Sequence, residues 1–94
     1  MRNYELTIVL DGKATSAKKK AIQNLVEKIV ELGKGKIGKV EDWGVKDLAY
    51  KLGKSSTGVY LHFPLELDAE TVKNVASKIK VESEILRYLL IRKD

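Results

Sequence analysis

Hydrophobic and polar residues alternate along four stretches of the chain, and a side-chain period of two is typical of half-buried β-strands. These stretches cover residues 3–10, 40–52, 59–67 and 85–92. The second is the longest and contains Gly44 near its middle. Because glycine inside a strand usually marks a bulge or a sharp bend, residues 40–52 predict one long strand that changes direction at Gly44.

Two stretches with helical spacing separate these strands. The first follows Thr15 or Ser16, which can cap a helix N-terminus, and ends at Gly33 and Gly35. Its apolar stripe consists of Ile22, Leu25, Val26, Ile29, Val30 and Leu32. The second follows Asp68, another good N-cap, and its stripe consists of Val72, Val75, Ala76 and Ile79. Both stripes predict amphipathic helices that bury one side.

The predicted order is therefore β-α-β-β-α-β within a single domain of 94 residues. Right-handed crossovers turn this order into an α+β, ferredoxin-like fold, a four-stranded antiparallel sheet with both helices on one face. A glycine- and serine-rich turn at residues 53–58 is expected to join the two middle strands. Pro64 lies in a strand that should be central, where proline cannot donate a ladder hydrogen bond, so we expect a local irregularity there.

Composition narrows the range of functions. The chain lacks cysteine, which excludes disulfides, thiol catalysis and cysteine-ligated zinc, and it has one histidine, which disfavours a histidine-rich metal site. A net charge of +5 fits either a polyanionic partner or a lysine-rich soluble surface. No apolar run approaches the ~20 residues that span a bilayer, and no secretion signal begins the chain, so we expect a cytoplasmic protein without membrane contact.

Two segments resemble motifs of enzymes but lack the residues that those enzymes need for binding phosphate or Mg²⁺. Residues 33–40 nearly match a phosphate-binding loop, yet Val40 replaces the hydroxyl residue that holds Mg²⁺, and the segment leaves a helix rather than entering one. Small acyl-phosphate hydrolases of the same fold need an arginine after the first strand, and residues 11–14 contain none. The sequence thus predicts a protein that is not an enzyme and has no cofactor, metal or small-molecule substrate.

RNA-recognition modules also share this fold and stack bases on aromatic side chains of the open sheet face. Alternation places Tyr60 and His62 on that face, opposite the predicted core. The first strand adds only Glu5, Thr7 and Val9, so this is a weak stacking platform. His62 is interpreted here as an ordinary histidine of the sheet surface.

Four blocks of residues resemble one family in the right order. They are residues 1–6, the block Glu41-Asp42-Trp43-Gly44-Val45-Lys46-Asp47-Leu48-Ala49-Tyr50, the pair Gly58 and Tyr60, and residues 85–93. Over its whole length the chain resembles the bacterial small-subunit ribosomal protein S6 family. It departs from that family's pattern at Asp47 and at Lys51, and it stops at Asp94 without a polar tail, so tail-mediated partner contacts are not expected.

The resemblance implies a structural constituent of the small ribosomal subunit in the cytoplasm. Such a protein binds small-subunit (16S) ribosomal RNA in the central domain together with ribosomal protein S18, as a heterodimer. Candidate RNA-binding residues, expected to contact phosphates, are Arg2, Lys46, Arg87, Arg92 and Lys93. Candidate partner-binding residues are Val9, Trp43, Tyr50, Leu89 and Ile91.

Two alternatives stay open at this point. In the first, the domain is chiefly a protein-interaction module, and its RNA affinity comes mainly from its partner. Exposed apolar strips and unpaired strand edges, both expected here, mark such surfaces. In the second, the chain binds single-stranded RNA in the manner of an RNA-recognition module.

Overall fold

Five β-strands and two α-helices make up the fold in the computed structural model, which describes residues 1–52 and 54–93. In chain order they are β1 (Arg2–Asp11), α1 (Ser16–Leu32), β2 (Lys36–Ile37), β3 (Glu41–Leu52), β4 (Ser55–Leu67), α2 (Ala69–Lys80) and β5 (Ile85–Arg92). The predicted α+β order is confirmed, with the two-residue strand β2 as an addition.

The sheet is antiparallel and four positions wide. β4 and β1 form its centre, β5 lies beyond β1, and the opposite edge is shared by β2 and β3, which both pair with β4. Side chains of alternate residues in β1 and β4 form one core with both helices. The fully buried members of this core are Leu6, Ile8, Leu10, Val26, Val30, Val59, Leu61, Phe63, Leu67, Val75 and Ile79. The ferredoxin-like prediction is therefore confirmed, and one face of the sheet is left without helices.

The helix ends lie where the capping residues predict them. The Thr15 hydroxyl accepts a hydrogen bond from the backbone amide of Lys18 at 3.2 Å, and Gly33 caps the other end of α1. The prediction that the apolar stripe of α1 is buried is wrong for Leu32, which is 77% exposed. Leu32 follows Val30 by two residues, which rotates it about 200° to the opposite side of the helix.

Asp68 caps α2, since its carboxylate accepts a hydrogen bond from the backbone amide of Thr71 at 2.8 Å. Hydrogen bonds from the side chain and the backbone amide of Thr71 hold the pKa of Asp68 below its ordinary value of 3.8. A carboxyl group with a lower pKa in the folded state stabilises the fold above its unfolded pKa, and loses that effect as the pH falls through the folded pKa.

We therefore expect Asp68→Ala to lower the denaturation midpoint at neutral pH, whereas Asp68→Asn, which still caps the helix, should lower it much less. As the pH falls through the folded-state pKa of Asp68, which lies below 3.8, the parent should approach the Asp68→Asn variant, because the parent carboxylate becomes protonated while the amide does not titrate. Denaturant unfolding of all three proteins at neutral pH and across this acidic range measures this. Identical midpoints for the parent and Asp68→Ala at neutral pH would contradict the capping role.

The hairpin of β3 and β4 is tighter than the sequence predicts. Of the predicted turn at residues 53–58, Gly53 lies outside the described residues, and β4 already begins at Ser55. Thr57 and Gly58 are paired with Asp47 and Lys46 of β3. Cross-strand pairing thus overrides the turn preference of the glycine- and serine-rich segment.

Pro64 lies in the central strand β4 without interrupting the pairing of β4 with β1, which runs from Arg2 to Asp11. The amide nitrogen and carbonyl oxygen of one residue point to the same neighbouring strand. The Pro64 carbonyl accepts from the backbone amide of Gly38 at 2.8 Å, so the missing donor also faces residues 38–40, the gap between β2 and β3. The predicted irregularity is therefore present, but it is the gap between the edge strands β2 and β3 and not a break in β4.

The bend in β3 lies at Gly44 as predicted. Gly44 has φ +79°, and the pairing of β3 with β4 shifts register between Asp42 and Val45, as in a β-bulge. The Gly44 amide donates to Oδ1 of Asp42 at 2.8 Å. This hydrogen bond is the main cause that lowers the pKa of Asp42. The bend is thus stabilised by a local carboxylate and requires a left-handed backbone conformation.

Candidate functional site on the open sheet face

The face of the sheet away from the helices, called the open face here, is built from side chains of four strands. Register places Thr7 of β1 beside His62 of β4 on one side and Leu89 of β5 on the other. Because side chains alternate along each strand, the residues two positions away share this face. Its members include Glu5, Thr7, Val9, Glu41, Trp43, Lys46, Tyr60, His62, Arg87, Leu89 and Ile91.

His62 is buried under Trp43, so its interpretation as an ordinary surface histidine is wrong. The two rings are stacked, with centroids 4.7 Å apart and planes 15° from parallel. Nε2 of His62 lies 2.8 Å from Oε2 of Glu5, and Nδ1 lies 3.3 Å from the hydroxyl of Thr7. The alternation in the sequence gives the correct face for His62, but the stack depends on the bend that brings Trp43 over it.

Glu5 connects this cluster to the end of the chain. Its Oε1 lies 2.9 Å from Nζ of Lys93, while its Oε2 binds His62. The Lys93 ammonium, through its hydrogen bond and then its charge, lowers the pKa of the Glu5 carboxyl, and His62 contributes less. Lys93, a predicted phosphate ligand, is therefore already paired within the chain.

Lys46 lies over two aromatic rings of the open face. Its Nζ is 5.9 Å from the ring centroid of Trp43 and 5.9 Å from that of Tyr60. A cation at this distance is attracted to an aromatic face by the quadrupole of the ring. Trp43, Lys46, Tyr60 and His62 thus form one connected aromatic cluster beside the edge strand β3.

Four of the five predicted partner residues are exposed to solvent. Leu89 and Ile91 on β5 are 57% and 46% exposed, Trp43 is 44% exposed, and Tyr50 is 80% exposed. Val9 is the exception, because it lies on the open face but is buried. It is covered since its neighbours across the sheet are Tyr60 and Arg87, both larger side chains.

The predicted RNA-binding residues do not form one patch. Lys46, Arg87 and Lys93 belong to the open face, whereas Arg92 pairs with Tyr4 on the face that carries the helices. Arg2 shares that second face, because it is two residues from Tyr4. The register of β1 and β5 places Arg2 and Arg92 near the same end of the sheet, but Arg87 lies on the other face.

Other kinds of site find little support in the described part of the chain. No group of three or more side chains suited to hold a metal ion occurs there. None of its helices is long and apolar enough to cross a membrane. The loop after β1 is occupied by its own contacts, since Asp11 accepts from the Lys13 amide at 2.9 Å and from the Ser55 hydroxyl at 2.7 Å.

These features define a class: a small ferredoxin-like domain whose uncovered sheet face presents exposed apolar side chains next to cations and aromatic rings. Comparison with known proteins then gives the family. The family model described as "Ribosomal protein S6" matches residues 3–92. The chain belongs to the ribosomal protein S6 family.

Relatives and a solved structure agree with this assignment. The chain is 32% identical to small ribosomal subunit protein bS6 of Pelagibacter ubique, over 98% of its length and 76% of that protein. It is 31% identical to the bS6 protein of Clostridioides difficile, over 97% and 98%. The crystal structure of 30S ribosomal protein S6 from Thermotoga maritima superposes with a TM-score of 0.89 at 28% identity, covering 98% of this chain and 87% of that one.

These relatives are ribosomal structural proteins of the small subunit, and the family is not known to be enzymatic. The prediction of a non-enzymatic ribosomal protein is therefore confirmed.

Proposed function

We propose that this protein is a structural constituent of the small subunit of the cytoplasmic ribosome, where it binds 16S ribosomal RNA in the central domain as a heterodimer with ribosomal protein S18. The observation that carries the proposal is the open face, where Leu89 and Ile91 remain half exposed on a sheet whose other face is fully packed. Exposed apolar surface of this kind, bordered by polar groups, marks a protein-binding site.

The partner protein would cover both the exposed apolar residues of β5, Leu89 and Ile91, and the aromatic cluster beside β3. Trp43 on β3 and Leu89 and Ile91 on β5 lie on opposite edges of the open face, so one partner that contacts all three must span the sheet. Tyr50 is exposed further along β3, in the irregular stretch between Asp47 and Leu52. Aromatic and aliphatic anchors dominate the energetics of such interfaces, while the surrounding polar groups mainly exclude water.

Ribosomal RNA would be bound through phosphates rather than base edges. Arginine and lysine contacts to phosphates fix position without reading sequence. Arg2 and Arg92 lie near one end of the sheet, while Arg87 and Lys93 border the surface assigned to the partner and Lys46 lies inside it, on the edge strand β3. RNA would therefore pass along the rim of the partner interface.

A second candidate function is favoured by one observation, namely that two of the three predicted RNA-binding residues on the open face are engaged within the chain. Lys93 pairs with Glu5, and Lys46 lies over Trp43 and Tyr60. On this hypothesis the domain is mainly a protein-interaction module, and S18 supplies most of the RNA affinity. Titration of central-domain RNA with the protein alone, and then with its partner, separates the two. Tight binding by the protein alone excludes the second candidate; binding that needs S18 favours it.

The phosphate contacts are tested by the salt dependence of RNA binding. With the partner present, Arg87→Ala combined with Arg92→Ala should reduce the slope of log affinity against log salt by about one per lost contact, or about two in all. A matched control is Lys28→Ala with Lys73→Ala, which removes two exposed charges from the helices. An unchanged slope in the arginine variant, or an equal loss in the control, would show that these arginines contact no phosphate.

A further inference from the structure

The chain contains one tryptophan and one histidine, and the fold stacks them on each other. They are 19 residues apart in sequence, on β3 and β4. Trp43 immediately precedes the bend at Gly44, on an edge strand whose pairing shifts register at this point. Apart from this stack and the ammonium of Lys46, nothing in the described contacts fixes the orientation of the indole ring.

Both nitrogens of the His62 ring have a partner in either charge state. A carboxylate only accepts, so Nε2 donates to Glu5. The Thr7 hydroxyl can donate to a bare Nδ1 or accept from a protonated one, because it rotates freely. The site therefore holds the ring in the same place whether it is neutral or charged, with one face against the indole.

We propose that His62 is a positioning residue that holds the indole of Trp43 stacked against its own ring on the open face. The consequence for partner binding rests on the proposed function above. The stack itself does not, because it is a property of the chain alone.

Holding the indole in one orientation matters for binding. A side chain that is already ordered loses less conformational entropy when a partner covers it. An aromatic pair contributes about 0.5–1.5 kcal/mol beyond its burial, which corresponds to roughly a 2- to 10-fold change in affinity. Loss of the stack should therefore weaken partner binding by roughly 2- to 10-fold.

The stack is tested by the fluorescence of the single tryptophan in the isolated full chain at one neutral pH. Acrylamide quenches exposed indole, so it should be less effective in the parent than in a variant that lacks the ring of His62. Circular dichroism confirms that each protein stays folded.

Two variants at position 62 separate positioning from mere stability. His62→Phe keeps a ring under the indole, so the shielding from acrylamide should remain. His62→Gln removes the ring, so acrylamide should quench Trp43 more strongly. Lys46→Met removes the other neighbour of the indole, and the shielding by His62 should remain.

Unchanged acrylamide quenching in His62→Gln, or an equal increase in His62→Phe, would overturn the proposal. Partner binding is measured separately at one neutral pH. If the fluorescence results are as expected but no variant binds S18 and neither does the parent, the proposed function fails while the positioning role stands.

Discussion

Replacing Leu89 and Ile91 together by glutamine should weaken binding of the protein to its proposed partner, S18, about a hundredfold, because burying each aliphatic side chain at an interface contributes on the order of 1.5 kcal/mol or more. The free energy of unfolding should change little. Both side chains are half exposed on the outer strand β5 and face away from the core formed with the helices. Glutamine leaves the net charge unchanged, so electrostatic attraction to RNA is not altered.

The matched control places the same change on the helix layer. Leu32 and Val81 are both exposed apolar residues at helix C-termini, and Leu32→Gln with Val81→Gln removes a similar apolar area from that side of the molecule. This control should bind S18 like the parent in isothermal titration calorimetry. Equal losses in both double variants would mean that apolar surface in general, and not the open face, drives association.

Gly44→Val should lower the free energy of unfolding by about 1–3 kcal/mol through backbone strain. The φ of +79° suits glycine, whereas a β-branched residue is strongly disfavoured there. Crowding by residues other than the two chain neighbours of Gly44 does not contribute, since none of them has a heavy atom within 4 Å of the position a Cβ would take. Gly44→Ala should therefore also destabilise, by about 1 kcal/mol, despite the open space.

Partner binding by the Gly44 variants should fall by more than the stability loss explains. The bend at Gly44 sets the direction of Trp43 on one side and of residues 45–50 on the other, so a relaxed bend would displace the indole from His62. Binding measured well below the unfolding transition, together with denaturant midpoints, decides this. If both variants match the parent in midpoint and in affinity, Gly44 does not organise β3.

Periodicity predicted most of the fold because each element carries its own pattern. The strands β1 and β5 and both helices have clear alternation or clear stripes, and local caps at Thr15 and Asp68 fix where the helices begin. The bend at Gly44 could also be predicted from the sequence, since only glycine tolerates its φ easily. These features depend on residues that are near one another in sequence.

The other features of the fold and of the open face depend on the register between strands that are distant in sequence, and no local pattern predicts that register. β2 is too short for periodicity, and its position explains how the central strand tolerates Pro64. The burial of Val9 and of His62, and the pairing of Lys93 with Glu5, follow from which side chains meet across β1, β4 and β5. Sequence alternation assigned His62 to the correct face but could not place Trp43 over it.

On the proposed function, the open face of the sheet attaches this protein to the small ribosomal subunit, a claim that co-sedimentation tests. The tagged chain is sedimented with small subunits during assembly for the parent, for Leu89→Gln with Ile91→Gln, and for Leu32→Gln with Val81→Gln. We expect the parent and the helix-layer control to sediment with the subunits, and the open-face variant to remain in the light fractions while still folded. Sedimentation of the open-face variant at the level of the parent would contradict the claim.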